Sequence, residues 1–145
     1  MMTGEVPAMK RAAIAGLFVL VSWAAVAAPS GQEASRAERL AQHRNLGKAF
    51  YENPTTQERA VEELKAALDL APDSPRERLN YGLALLKAGK TSEGIAELLK
   101  VEAQAPSIPH AWFTLGVVYK RDGKFDLAVA QLEKMAVLVP DEPVT

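Results

Sequence analysis

Cysteine is absent from the 145 residues. Without a thiol the chain can form no disulfide, bind no metal through sulfur, use no cysteine nucleophile and carry no lipid on a cysteine behind a leader. That absence also suits an oxidising compartment. Histidine is scarce, with His43 and His110 the only two. Neither stands in the carboxylate–histidine spacing of a zinc motif, no serine occupies a nucleophile elbow, and no glycine-rich phosphate loop occurs. Glu62-Glu63 and Glu97 read as solvated charge on helix surfaces. The sequence therefore gives no ground for catalysis, a metal or a cofactor. It also lacks an excess of either charge: 17 basic and 18 acidic residues leave a net −1, with the signs interspersed. Neither the basic footprint of a nucleic-acid binder nor that of a membrane-surface protein is present.

What is present first is one apolar run. Lys10 and Arg11 precede an uninterrupted stretch from Ala12 to Val21, which resumes after Ser22 as Trp23-Ala24-Ala25-Val26-Ala27-Ala28. A positive end, an apolar centre and small residues before a cut describe a secretory signal peptide over residues 1–28. Ala25-Val26-Ala27 is the cleaner cleavage motif, and Met9 offers a second start. The expectation is an exported protein, periplasmic or secreted. A retained inner-membrane anchor is the alternative, since the 17 residues from Ala12 to Ala28 sit at the lower edge of what spans a bilayer. Residues 29–39 read as a linker and the start of the first helix.

The rest of the chain repeats itself every 34 residues. Pro72, Pro106 and Pro140 keep that spacing, as do Pro75, Pro109 and Pro143, and Leu64, Leu98 and Leu132. Gly82 pairs with Gly116, and Gly89-Lys90 with Gly123-Lys124. Inside each unit the apolar spacing is helical and short turns separate two helices. Ser74, Pro75 and Glu77 predict a helix start, and Gly89 a helix end. The predicted helices of units two and three run over 76–87, 92–104, 110–121 and 125–139. Unit one is looser: Ser35 with Glu38 opens a helix to about Glu52, and Thr55 with Glu58 opens another to about Leu70. Its turn, Asn53-Pro54-Thr55-Thr56, is about one residue longer than the others. Gly82 and Gly116 lie mid-helix, where glycine costs roughly 1 kcal/mol against alanine. That cost fits a close helix crossing, with Ala60, Gly94 and Ala128 as the small residues opposite.

Trp112-x-x-Leu115-Gly116-x-x-Tyr119, followed by Ala128, Leu132 and Pro140, resembles the tetratricopeptide-repeat signature. Unit two keeps Gly82, Leu85, Leu98 and Pro106 but has Arg78 where tryptophan is usual. Unit one keeps Leu46-Gly47, Phe50, Ala60, Leu64, Ala67 and Pro72. The resemblance covers residues 40–142 as units of about 40–73, 75–108 and 109–142. It implies an all-α solenoid of antiparallel helix pairs in a right-handed superhelix, a scaffold that binds proteins or peptide segments in a concave groove.

By repeat position, the resemblance implies a groove lined by Arg44, Lys48 and Tyr51 from unit one. Unit two adds Arg76, Leu79, Leu83, Leu86 and Lys87, and unit three His110, Phe113, Val117, Lys120 and Arg121. A basic rim around an apolar strip suits an extended segment with an acidic residue. A subset of the family clamps chaperone carboxyl termini. Asn80 stands at one of its positions, but Lys48 and Thr114 replace the asparagine and arginine of two others, so a full clamp is not expected.

The predicted last helix stays apolar through Met135-Ala136-Val137-Leu138-Val139, and Pro143 stands where Pro75 and Pro109 opened units. Residues 143–145 therefore read as the opening of a fourth unit. Either the chain is the front of a longer exported protein, an enzyme or a β-propeller, or the open helix is covered by a partner or a second copy.

Overall fold

The computed structural model describes residues 31–139, with side chains from Ser35 onward. The signal-peptide reading of 1–28, Pro140 and the fourth-unit start at 143–145 lie outside the described residues. Six α-helices follow one another: α1 (Gly31–Glu52), α2 (Gln57–Leu70), α3 (Pro75–Lys87), α4 (Thr91–Gln104), α5 (Pro109–Arg121) and α6 (Phe125–Leu138). Each packs on its neighbours in sequence, giving the hairpins α1–α2, α3–α4 and α5–α6 stacked through α2 on α3 and α4 on α5. The result is an all-α solenoid of helix pairs. Among the described residues no helix is long and apolar enough to cross a membrane.

Local chemistry sets the boundaries. Ser74 Oγ accepts the Glu77 amide at 3.3 Å, with Pro75 at the first helical position. At the other end of α3, Gly89 takes φ +79° and lets Lys90 N–H reach the Leu85 carbonyl at 2.9 Å. Gly123 does the same with φ +74°, bringing Lys124 N–H to Tyr119 at 2.8 Å. These left-handed glycines close the helices and reverse the chain.

Two predicted starts differ. The helix expected from Ser35 begins at Gly31, because Gln32, Glu33 and Ala34 are good helix formers and nothing halts the helix before Ser35. The start expected at Thr55 is a short 3-10 turn, Pro54–Thr56, capped by Asn53, whose Oδ1 accepts Thr55 N–H at 3.0 Å. Helix α2 begins only at Gln57. This turn absorbs the extra residue of unit one.

Close helix crossings hold each hairpin together. A Cβ built on Gly47 would lie 2.5 Å from Leu64 Cγ, one on Gly116 2.9 Å from Leu132, and one on Gly82 3.2 Å from Leu98. The same glycine–leucine contact thus recurs in all three hairpins. It spans 16 residues in the second and third but 17 in the first, where the 3-10 turn is inserted. Between hairpins, Val61 and Leu64 of α2 pack on Ala84 and Leu85 of α3, and Leu98 of α4 packs on Leu115 and Tyr119 of α5. Each such leucine, fully buried, contributes about 1.5–3 kcal/mol.

Candidate functional site

Stacking three hairpins places the first helix of each side by side, and a cavity of about 470 Å³ opens across α1, α3 and α5. Helix α1 supplies Arg44, Asn45, Lys48, Tyr51 and Glu52 to it. Helix α3 supplies Arg76, Asn80 and Leu83, α5 supplies His110, and Leu64 of α2 also lines it. Six of the residues expected in a groove are therefore together: Arg44, Lys48, Tyr51, Arg76, Leu83 and His110.

The other expected residues lie elsewhere. Leu79 and Leu86 are partly buried against the core around Leu98 and Leu115. Lys87 lays its ammonium over the Tyr51 ring, 4.2 Å from the centroid. Phe113 and Val117 are about half exposed on α5, outside the cavity lining. Lys120 and Arg121 are exposed at the end of α5. Arg121 reaches Asp122 at 3.3 Å and Thr91 Oγ1 at 3.4 Å.

Charge at the cavity is thinner than a basic rim. Arg44 gives both Nε and Nη2 to Oε1 of Glu77, at 3.0 and 2.5 Å, and Glu77 is 1% exposed. Its cation is spent on a buried carboxylate rather than offered to a ligand. Lys48 and Arg76 make no ion pair among the described residues, so they are the cations a ligand would meet. Glu52 sets one acid beside them. Tyr51 keeps its proton, because burial and then the Glu52 charge push its phenol up. It is thus a hydrogen-bond donor and an apolar wall together.

Asn45 and Glu52 were not among the expected lining residues. Asn45 was within reach of the sequence: it is 35 residues before Asn80, the period corrected for the longer first turn. The two amides occupy one repeat position on adjacent helices, each with both donors and an acceptor. Among the described residues no three metal-capable side chains come together.

The family model described as tetratricopeptide repeat matches residues 79–143. Residues 79–143 carry the tetratricopeptide repeat. The hairpin α1–α2 precedes the matched residues and repeats the glycine–leucine crossing of the other two. Among solved structures, the chain is similar to the crystal structure of YrrB, described as a TPR protein with an unusual peptide-binding site. The likeness has a TM-score of 0.57 and 21% identity over 77% of this chain and 64% of that one. It is a likeness of fold. The chain thus spans about two thirds of the length of the structure it matches. A search of curated proteins returned no match.

Proposed function

We propose that this tetratricopeptide-repeat chain is an exported interaction scaffold that holds an extended peptide or protein segment across α1, α3 and α5. The observation that carries this reading is the cavity itself. It combines two cations with no ion pair among the described residues, Lys48 and Arg76, with two amides at one repeat position, Asn45 and Asn80, and the apolar surfaces of Tyr51 and Leu83. Amides at a repeat position can bond the main chain of an extended segment, while the cations select a carboxylate and the apolar walls select its neighbours. The peptide-binding site of YrrB, a TPR protein of similar fold, agrees with such a role. The preferred ligand carries an aspartate or glutamate next to apolar side chains.

Export rests on Lys10-Arg11, the apolar run from Ala12 and the Ala25-Val26-Ala27 motif. Fractionation of cells expressing the natural gene tests it. A product shortened at the amino terminus in the envelope supports export, and a full-length cytosolic product overturns it.

Selection of peptides from a random displayed library against the full chain tests the binding role. Enrichment of acidic–apolar segments supports it. Enrichment of none, or of basic segments, overturns it.

A further inference from the structure

Helix α6 exposes residues at the very positions that the fold seals elsewhere. The positions of Ala60, Val61 and Leu64 in α2 are held by Gly94, Ile95 and Leu98 in α4, and by Ala128, Val129 and Leu132 in α6. In α2, Val61 is 8% and Leu64 4% exposed, because α3 lies on them. In α6, Val129 is 53% and Leu132 37% exposed. Phe125, Val129, Leu132 and Ala136 are spaced four, three and four apart, which aligns them in one stripe along the helix. Phe125, 64% exposed, occupies the position of Gln57 in α2 and Thr91 in α4. The open face is therefore apolar for its whole length.

The fold also shows what chemistry closes such a face. Helix α3 runs antiparallel to α2 and presents Tyr81, Ala84, Leu85 and Ala88 to it. Lys90, just beyond the end of α3, reaches back to Glu58 at the start of α2 at 2.6 Å. Asp126 is the α6 counterpart of Glu58, and Glu133 flanks the stripe one heptad further on. Neither makes an ion pair among the described residues. Two acids along one edge would repel those of a second α6 laid against it, and they attract a helix that carries cations.

We propose that the open face of α6 seats one amphipathic α-helix supplied by another protein. The helix runs antiparallel to α6. It lays an apolar stripe with alanine-sized residues on Val129 and Leu132, and sets a lysine or arginine at its carboxyl end on Asp126. This surface is separate from the groove across α1, α3 and α5, so the chain joins two partners of different form, one extended and one helical.

The test uses α3 as the model ligand. A fluorescein-labelled peptide of residues 72–90 is titrated with the full chain and followed by anisotropy. A side-chain-stapled version removes most of the cost of ordering a short helix. Saturable binding is expected, weakened about tenfold or more by Val129→Glu and several-fold by Asp126→Lys. A peptide with Lys90→Glu should restore binding to the Asp126→Lys protein. Arg76→Glu, in the groove, should leave it unchanged, which separates this proposal from the groove reading. Absence of binding by the stapled peptide would overturn it, as would binding indifferent to Val129→Glu. So would sedimentation of the chain as a dimer that Val129→Glu dissolves, because a second copy would then be the occupant.

Discussion

Arg78 donates from Nη2 to the carbonyl oxygen of Pro72, six residues back, at 2.9 Å. In the next repeat Trp112 Nε1 makes the same bond to the Pro106 carbonyl, also six residues back, at 2.8 Å. Arginine therefore takes over the tryptophan's hydrogen bond, tying the helix to the turn that precedes it. It also pairs with Glu97 at 2.8 Å, where the third repeat has Gln131. Burial alone would raise the Glu97 carboxyl, but hydrogen bonds from Lys100 and Arg78 outweigh it and hold it low. Arg78→Ala should cost about 2 kcal/mol in urea unfolding. The double change Arg78→Trp with Glu97→Gln, which installs the third repeat's pair, should recover most of that loss. A double variant no more stable than Arg78→Ala would contradict the equivalence.

The Arg44–Glu77 pair makes a second prediction. Glu77 is buried and both its bonds from Arg44 go to one oxygen, leaving Oε2 without a partner. Removing the arginine alone strands a buried carboxylate. Arg44→Ala should lose about 3–5 kcal/mol, and Arg44→Ala with Glu77→Gln should lose clearly less. Equal losses in thermal unfolding would show that the carboxylate is not stranded. Arg44 variants would then be usable as groove probes, which the structure argues against.

Glu102 should make stability depend on pH. Burial raises its carboxyl, against the smaller opposing effects of Lys134 and a hydrogen bond from Gln131. Both Glu102 Oε1 and Gln131 Oε1 are buried without a partner. A protonated Glu102 could donate to Gln131, whereas the carboxylate cannot. Because the folded value lies above the ordinary 4.5, this stabilisation is complete below about 4.5 and is lost as pH rises through the raised value. Glu102→Gln supplies the missing donor at every pH. It should stabilise the chain by about 1 kcal/mol at pH 7, the gain shrinking as pH falls toward 4.5. A constant difference across that range would contradict the assignment.

Alanine at the crossing glycines should rank by the space available. The new methyl would sit 2.5 Å from Leu64 Cγ at position 47 but 3.2 Å from Leu98 at position 82. Alanine gains roughly 1 kcal/mol of helix propensity over glycine, while overpacking costs about 1–3 kcal/mol. Gly47→Ala should therefore be net destabilising, and Gly82→Ala close to neutral. The reverse order of melting temperatures would contradict the packing.

The architecture was legible because its signals are local and repeated. Pro75, Pro109, Gly89 and Gly123 punctuate the helices at one period, and each predicted bound in units two and three falls within a residue of the observed one. Unit one was less legible because a single added residue at the Pro54–Thr56 turn shifts its first helix against the period. Repeat position located six of the thirteen expected groove residues in the cavity, since it fixes which face of a helix a residue shares. It could not reveal that Arg44 is held by Glu77, 33 residues away. Such a pairing depends on how two hairpins stack, and no short-range pattern encodes it.

The central claim is that Lys48 and Arg76 are the cations that engage a ligand across α1, α3 and α5. The most direct measurement is the affinity of the strongest library-selected acidic peptide for the wild-type chain and for Lys48→Glu/Arg76→Glu, at several salt concentrations. Both residues are exposed, so the variant should keep its fold by circular dichroism. The account predicts that wild-type binding weakens with added salt, and that the variant binds about tenfold or more weakly with little salt dependence. Equal affinity and equal salt dependence for the two proteins would contradict it.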